Sequence, residues 1–93
     1  TWNVAIGSNA QATANGSGTE PGDGNSFGNA VAIGSNASAT NTNTIAIGLD
    51  AKATEIKALA IGTHSKALGT YSTAYGYNSE ATLTQGTAIG SGT

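Results

Sequence analysis

The residues best suited to chemistry surround the only histidine of the chain. Ser65 follows His64 directly, and Asp50 precedes His64 by 14 residues, so the residue types of a Ser-His-Asp hydrolase are present. Such a triad requires the nucleophile and the base within hydrogen-bond reach. In the repeat described below, Asp50 and His64 lie one strand apart and close to ion-pair distance, whereas Ser65 points inward, away from His64. We therefore predict a solvated turn here, and no enzyme.

The segment at 14–28, ANGSGTEPGDGNSFG, is a second candidate, and its Gly, Ser, Asn and Pro content predicts an inserted surface loop. One interpretation is a protrusion that contacts a ligand through Glu20 and Asp23, since loops on rigid scaffolds often carry binding. The other is a tolerated insertion, with Phe27 fixing one end. A calcium site at Asp23-Gly24-Asn25 is disfavoured, because the spacing and the number of carboxylates differ from those of a calcium loop. We expect neither a metal nor a cofactor.

The composition is that of one small domain, residues 1–93, with few residues able to build a conventional core. Leu, Ile, Val and Phe make up only 14 of the 93 residues, while alanine alone contributes 17. The net charge of −2 lacks the excess that usually accompanies disorder. Three Lys and no Arg argue against a nucleic-acid surface, and no apolar run approaches the ~20 residues that span a bilayer. We expect no direct membrane contact by these residues.

A 14-residue repeat organises the rest of the sequence. Six segments align on Ala-Ile-Gly or Ala-Tyr-Gly, namely VAIGSNAQAT, VAIGSNASAT, IAIGLDAKAT, LAIGTHSKAL, TAYGYNSEAT and TAIGSGT. The last five begin at positions 31, 45, 59, 73 and 87, and the first begins at position 4. The first interval is therefore one period plus an insertion. A repeat of fixed period is typical of a solenoid.

Each period contains two short alternating strands separated by tight turns. Val31 and Ile33 share one face of the first strand, and Ala37 and Ala39 share one face of the second. Stacked copies predict an all-β, parallel β-roll whose interior holds only small residues. The predicted protomer interior comprises Ala5, Ala32, Ala37, Ala39, Ala46, Ala51, Ala53, Ala60, Ala67 and Ala81.

If alanines fill the roll, the large apolar residues of the first strands face outward. This column comprises Val4, Ile6, Val31, Ile33, Ile45, Ile47, Leu59, Ile61, Tyr75 and Ile89. A monomer would expose it as one continuous stripe, larger than soluble monomers normally tolerate. We therefore predict an obligate, symmetric homo-oligomer with its core between protomers. The periodicity does not set the number of subunits.

Two columns occupy the turn after each first strand. The first column is a glycine in every coil, which suggests a backbone conformation or a close approach that a side chain would obstruct. It consists of Gly7, Gly34, Gly48, Gly62, Gly76 and Gly90. The second is the solvated turn column, made of Asn9, Asn36, Asp50, His64 and Asn78.

Charged and aromatic side chains outside the roll are candidates for a ligand surface. Lys52, Lys66 and Glu80 form an outer column that either binds a ligand or serves solubility and discourages sheet association. Tyr71 and Tyr77 are candidate exposed aromatics. Tyr75 replaces the isoleucine of the apolar column, which favours a role in the shared core over ligand contact.

The motif Val/Ile-Ala-Ile-Gly-x-x-Ala/Ser-x-Ala at this period resembles the head repeat of trimeric autotransporter adhesins, the YadA-like head, from Val4 to Thr93 apart from the insertion. The resemblance implies a left-handed roll and a homotrimer, with the Val/Ile strands lining the three-fold axis. It implies a virulence-associated protein on the surface of a Gram-negative bacterium, whose outer-membrane anchor is not part of this chain. Asn29-Ala30 and Asn43-Thr44 replace the family's Asn-Ser pair, so collagen binding is not transferred.

The function that this resemblance implies is non-catalytic adhesion to host extracellular matrix, host cells or other bacteria. The alternative is an ice-binding or purely structural β-solenoid. Thr13, Thr40, Thr54 and Thr82 form a column that Leu68 interrupts. Ice-binding faces need paired ranks of threonine, and the second rank is missing.

Overall fold

The structure, a computed structural model, describes residues 2–13 and 29–93, and this part is all-β. Its short strands, β1 to β11 in chain order, alternate between two sheets. The described residues include no helix with the length and hydropathy that crossing a membrane requires. The predicted insertion at 14–28 lies outside these residues.

Both sheets follow the repeat along the chain. The six-stranded sheet contains β1 (Trp2–Ile6), β3 (Asn29–Ile33), β5 (Thr44–Ile47), β7 (Leu59–Ile61), β9 (Thr73–Tyr75) and β11 (Thr87–Ile89). The five-stranded sheet contains β2 (Gln11–Ala12), β4 (Ser38–Ala39), β6 (Lys52–Ala53), β8 (Lys66–Ala67) and β10 (Glu80–Ala81).

Every strand pairs in parallel with its equivalent in the next coil. Ile45 lies beside Leu59 in the first sheet, and Lys52 lies beside Lys66 in the second. The pairing of Val4 with Val31 spans the insertion without changing the register. The structure therefore confirms the parallel β-roll solenoid that the repeat predicted.

The interior between the sheets, over residues 2–13 and 29–93, contains only small side chains. Its largest fully buried residues are Thr44, Ser65, Ser72 and Ser79. The buried alanines are Ala30, Ala32, Ala37, Ala39, Ala46, Ala51, Ala53, Ala58, Ala60, Ala67, Ala74 and Ala81, each at most 4% exposed. Ala5 differs from our expectation and is exposed, because β1 ends its sheet and, within the described part of the chain, has a neighbouring strand on one side only.

The structural unit is a half-coil of seven residues, half the period read from the sequence. Each half-coil directs its first and third residues inward, its second and fourth outward, and ends in a residue with positive φ. These terminal residues have φ between 57 and 61° and are Asn36, Asn43, Asp50, Lys57, His64, Tyr71, Asn78 and Gln85. Asn9 has the same conformation in the first coil.

Both kinds of half-coil close with the same backbone hydrogen bond. The N–H of Ala37 donates to the carbonyl of Gly34 at 3.2 Å, and the N–H of Ala58 donates to that of Glu55 at 3.1 Å. A bond from the fourth residue to the first, with positive φ at the third, is typical of a type II turn. Only the turn after the first strand also needs positive φ at its first residue, as in Gly34 (φ 127°).

Candidate binding surfaces

The roll presents two outer faces and two edges. The apolar face is formed by the outward residues of the six-stranded sheet, and the polar face by those of the five-stranded sheet. The glycine edge comprises the turns at 7–9, 34–36, 48–50, 62–64, 76–78 and 90–92. The second edge comprises the turns at 41–43, 55–57, 69–71 and 83–85.

The apolar face carries every residue of the predicted trimer core. Ile6, Tyr75 and Ile89 are more than half exposed on the protomer, at 58, 54 and 66%. Val4 and Ile45 are also exposed, while the rest of the column, Val31, Ile33, Ile47, Leu59 and Ile61, is half-buried. Large apolar side chains thus point away from the only buried cluster of the described chain, which is made of alanines.

The polar face carries the predicted outer charges. Lys52 and Lys66 are register partners on neighbouring strands, and Glu80 is the partner of Lys66 on the next strand. Lys52 and Glu80 are exposed, and Lys66 is half-buried. Like charges on adjacent strands are destabilising, and the opposite charge of Glu80 compensates on one side only.

The glycine edge brings Asp50, His64 and Tyr77 together. The carboxylate Oδ2 of Asp50 lies 3.4 Å from Nδ1 of His64, as the repeat register predicted. The His64 and Tyr77 rings are 6.2 Å apart between centroids and nearly perpendicular, at 77°. Ser65 is fully buried, and its hydroxyl donates to the carbonyl of Gly62 at 2.9 Å. It is directed into the roll, which leaves His64 and Asp50 without it as a nucleophile.

Close stacking explains the recurring glycine on this edge. A Cβ built on Gly62, whose φ is 129°, would lie 2.7 Å from the carbonyl oxygen of Gly76 in the next coil. Gly48 meets Gly62 in the same way, at 2.6 Å. Both readings of the glycine column, conformation and close approach, therefore apply together.

The second edge carries the other exposed tyrosine. The ammonium Nζ of Lys57 lies 5.5 Å from the centroid of the Tyr71 ring, one coil further along, in cation–π geometry. The sequence indicated Tyr71 as an exposed aromatic, and the 14-residue period places Lys57 at the equivalent position of the coil before. The contact was nevertheless not identified from the sequence, because Lys57 was not among the candidate residues.

The sequence prediction missed one recurring inward position, which four residues occupy. Ala30, Thr44, Ala58 and Ser72 are buried at the start of the half-coils that form the first sheet. Their signal was available, since each lies two residues before a predicted interior alanine or its equivalent, Ala74, and strand alternation continues through them. Glu20 and Asp23 lie outside the described residues, which include no cluster of three or more His, Cys, Asp or Glu that could hold a metal ion.

Comparison with protein families gives one match that covers most of the chain. The family model described as YadA head domain repeat (2 copies) matches residues 4–17, 28–51, 53–79 and 72–93. Comparisons with curated proteins and with solved structures gave no significant match.

Proposed function

The chain belongs to the YadA head domain repeat family and is a YadA-like head of a trimeric autotransporter adhesin; from this premise we propose how it works. Residues 1–93 form a single non-catalytic head domain, a left-handed β-roll that assembles as a homotrimer. The apolar faces of three protomers meet at the axis, and the remaining surfaces contact host extracellular matrix, host cells or other bacteria. In this proposal the head lies outside the bacterial cell, at its surface.

The observation that carries the proposal is the inversion of side-chain size between the inside and the outside of the roll. Among the described residues, the interior holds nothing larger than threonine, while the apolar face exposes Ile6, Ile45 and Ile89. Fully burying one such side chain stabilises by about 1.5–3 kcal/mol, and this gain is lost in an isolated protomer. A shared core between apolar faces is the arrangement that recovers it.

The polar face supports adhesion over ice binding. The threonine column at 13, 40, 54 and 82 follows the strands of this face, and Leu68 interrupts it. The neighbouring outward column on the strands of this face holds Gln11, Ser38, Lys52, Lys66 and Glu80, so the strands do not present a second threonine rank beside the first. We expect no thermal hysteresis from the purified chain, and measurable hysteresis would favour the ice-binding alternative.

Assembly is tested with two substitutions, one on β5 in the six-stranded sheet and one on β6 in the five-stranded sheet, which lie on opposite outer faces of the roll. Ile47→Asp places a carboxylate on the apolar face, where assembly would bury it without a partner. Lys52→Asp changes charge on the polar face and leaves the apolar face intact. In sedimentation velocity we expect trimers from the wild type and from Lys52→Asp, and no trimer from Ile47→Asp.

A stable, cooperatively folded wild-type monomer would contradict the assembly proposal. The ligand side is tested separately by binding of the trimer to immobilised matrix proteins, with and without residues 15–27. Weaker binding without that segment would assign the contact to the insertion. Equal binding would move the contact to the regular faces and edges of the roll.

A further inference from the structure

We propose that the glycine edge carries a binding site for a neutral oligosaccharide. The site is formed by Leu49, Asp50, Thr63, His64, Tyr77 and Asn78. This inference deepens the proposed function by naming a ligand class for one edge. The site itself lies within one protomer. The inference rests on the proposed function only in that an assembled head would carry one copy of the site per subunit.

The backbone of this edge is stacked in register, which fixes the spacing of its side chains. The N–H of His64 donates to the carbonyl of Leu49 at 2.8 Å, and the N–H of Asn78 donates to that of Thr63 at 3.0 Å. The N–H of Asp50 donates to the carbonyl of Ser35 at 2.9 Å. Equivalent residues therefore follow each other at the strand spacing of about 4.8 Å, on a scaffold that is already ordered before a ligand arrives.

Two large side chains create a notch on this edge, defined by Leu49, Thr63 and Tyr77. Leu49 and Tyr77 are 45 and 55% exposed, two coils apart, and the smaller, half-buried Thr63 lies between them. Two strand spacings separate their backbones by roughly 9.6 Å. The equivalent turn position in the other coils is a serine, at Ser8, Ser35 and Ser91. The notch is thus a local departure from the repeat.

Polar groups border the notch along one side. Asp50 and His64 face each other at 3.4 Å, and each side chain retains about two fifths of its exposure, at 37 and 41%. Asn78 follows His64 in the same column and is also exposed. A carboxylate, an imidazole and an amide together offer both donors and acceptors to a ligand with many hydroxyls.

Apolar and polar groups combine here as a sugar ring requires. A pyranose presents C–H groups on its faces and hydroxyls at its rim. The exposed Tyr77 ring and the Leu49 side chain offer apolar contact, and the contact between the His64 and Tyr77 rings restricts the orientation of both. A few fixed polar groups beside an aromatic surface are typical of small-ligand sites.

The charges of the edge favour a neutral saccharide over an acidic one. Asp50 would repel a carboxylate or a sulfate, and the basic side chain close to it is that of His64. The lysines Lys52 and Lys66 are on outward positions of the polar face, in the strands that follow these turns. A cation site is disfavoured, since Asp50 and His64 form only a pair, and the described residues contain no group of three ligands.

The test measures binding of lactose, cellobiose and chitobiose to the assembled head by saturation-transfer difference NMR. Tyr77→Ala removes the aromatic wall, and the control Tyr71→Ala removes an exposed tyrosine of the second edge, which is 43% exposed against 55% for Tyr77. We expect at least one disaccharide to bind, Tyr77→Ala to raise its Kd about tenfold, and Tyr71→Ala to leave it within twofold. His64→Ala should weaken the same disaccharide less than Tyr77→Ala does.

Three results would overturn the inference. The first is the absence of binding by all three disaccharides, and the second is equal loss from Tyr77→Ala and Tyr71→Ala. The third is dissociation of the head by Tyr77→Ala in sedimentation velocity, which would make this edge a contact between subunits. If the wild type is monomeric and still loses binding with Tyr77→Ala, the site stands while the assembly proposal fails.

Discussion

The two halves of a coil are built on one plan and face different surroundings. Half-coil 44–50, TIAIGLD, and half-coil 51–57, AKATEIK, both direct small first and third residues inward and end with positive φ. The first half-coil turns isoleucines outward and needs Gly48 in its turn. The second turns Lys52 and Thr54 outward and has Glu55 at the position of that glycine.

This difference separates what makes the protomer from what makes its surface. The inward positions are alike because both sheets enclose the same thin interior. The outward positions are unlike because one sheet presents an apolar face and the other a polar face. Substitutions inside should therefore affect the two halves equally, and substitutions in the turns should not.

The largest effect is expected from an alanine at the first turn position of the glycine edge. Gly62→Ala imposes a side chain at φ 129° and brings its Cβ to 2.7 Å from the carbonyl oxygen of Gly76. Strain of about 1–3 kcal/mol adds to the cost of this backbone clash, so the free energy of unfolding measured by urea denaturation should fall by more than about 3 kcal/mol. The matched change on the second edge is Glu55→Ala, which is expected to stay within about 0.5 kcal/mol. Equal losses would remove the distinction between the two turns.

A second, smaller loss should be shared by both halves of the coil. Ala46→Leu and Ala53→Leu each insert a large side chain into the same interior, where both alanines are fully buried. Overpacking of a filled interior costs about 1–3 kcal/mol. We expect losses of that size, similar for the two variants, in thermal unfolding followed by far-UV circular dichroism at one protein concentration. A loss confined to one variant would show that the two sheets do not enclose a common interior.

The smallest expected effect is an increase in the free energy of unfolding from a substitution at the second edge. Gln85 has φ 60°, a conformation that glycine adopts without the cost of a Cβ. Gln85→Gly should therefore raise the stability by up to about 1 kcal/mol. Gln11→Gly, on an exposed strand position, should lower it by roughly 0.5–1 kcal/mol. A loss from both variants in urea denaturation would contradict the assignment of positive φ to the second edge.

The fold was predictable because the spacing of residues along the chain determines which strands pair and which side chains face inward. The interval between VAIG-type motifs set the strand partners, and alternation placed Ala32 inside and Ile33 outside. The pairing of Asp50 with His64 also followed from the period, since equal positions stack in adjacent coils. The family resemblance read from the same motif is confirmed by the match over most of the chain.

The candidate site was only partly predictable. Tyr77 was identified as an exposed aromatic, but its ring contact with His64 joins different positions of neighbouring coils, which a count along the chain does not pair. Leu49 was not singled out, because its value as one wall of a notch depends on the side chains two coils away.

The sequence by itself determined the period, the register and the division of residues between inside and outside, because each depends only on spacing along the chain. The tertiary structure decided that the unit is a half-coil of seven residues. Asn43, Lys57, Tyr71 and Gln85 share a left-handed conformation, which is favourable for an asparagine but is not predicted by a lysine, a tyrosine or a glutamine. Their backbones adopt it because the N–H of each of Lys57, Tyr71 and Gln85 must meet a carbonyl of the coil before, as Tyr71 does at 2.9 Å with Ile56. Stacking, rather than residue type, fixes the backbone at that edge.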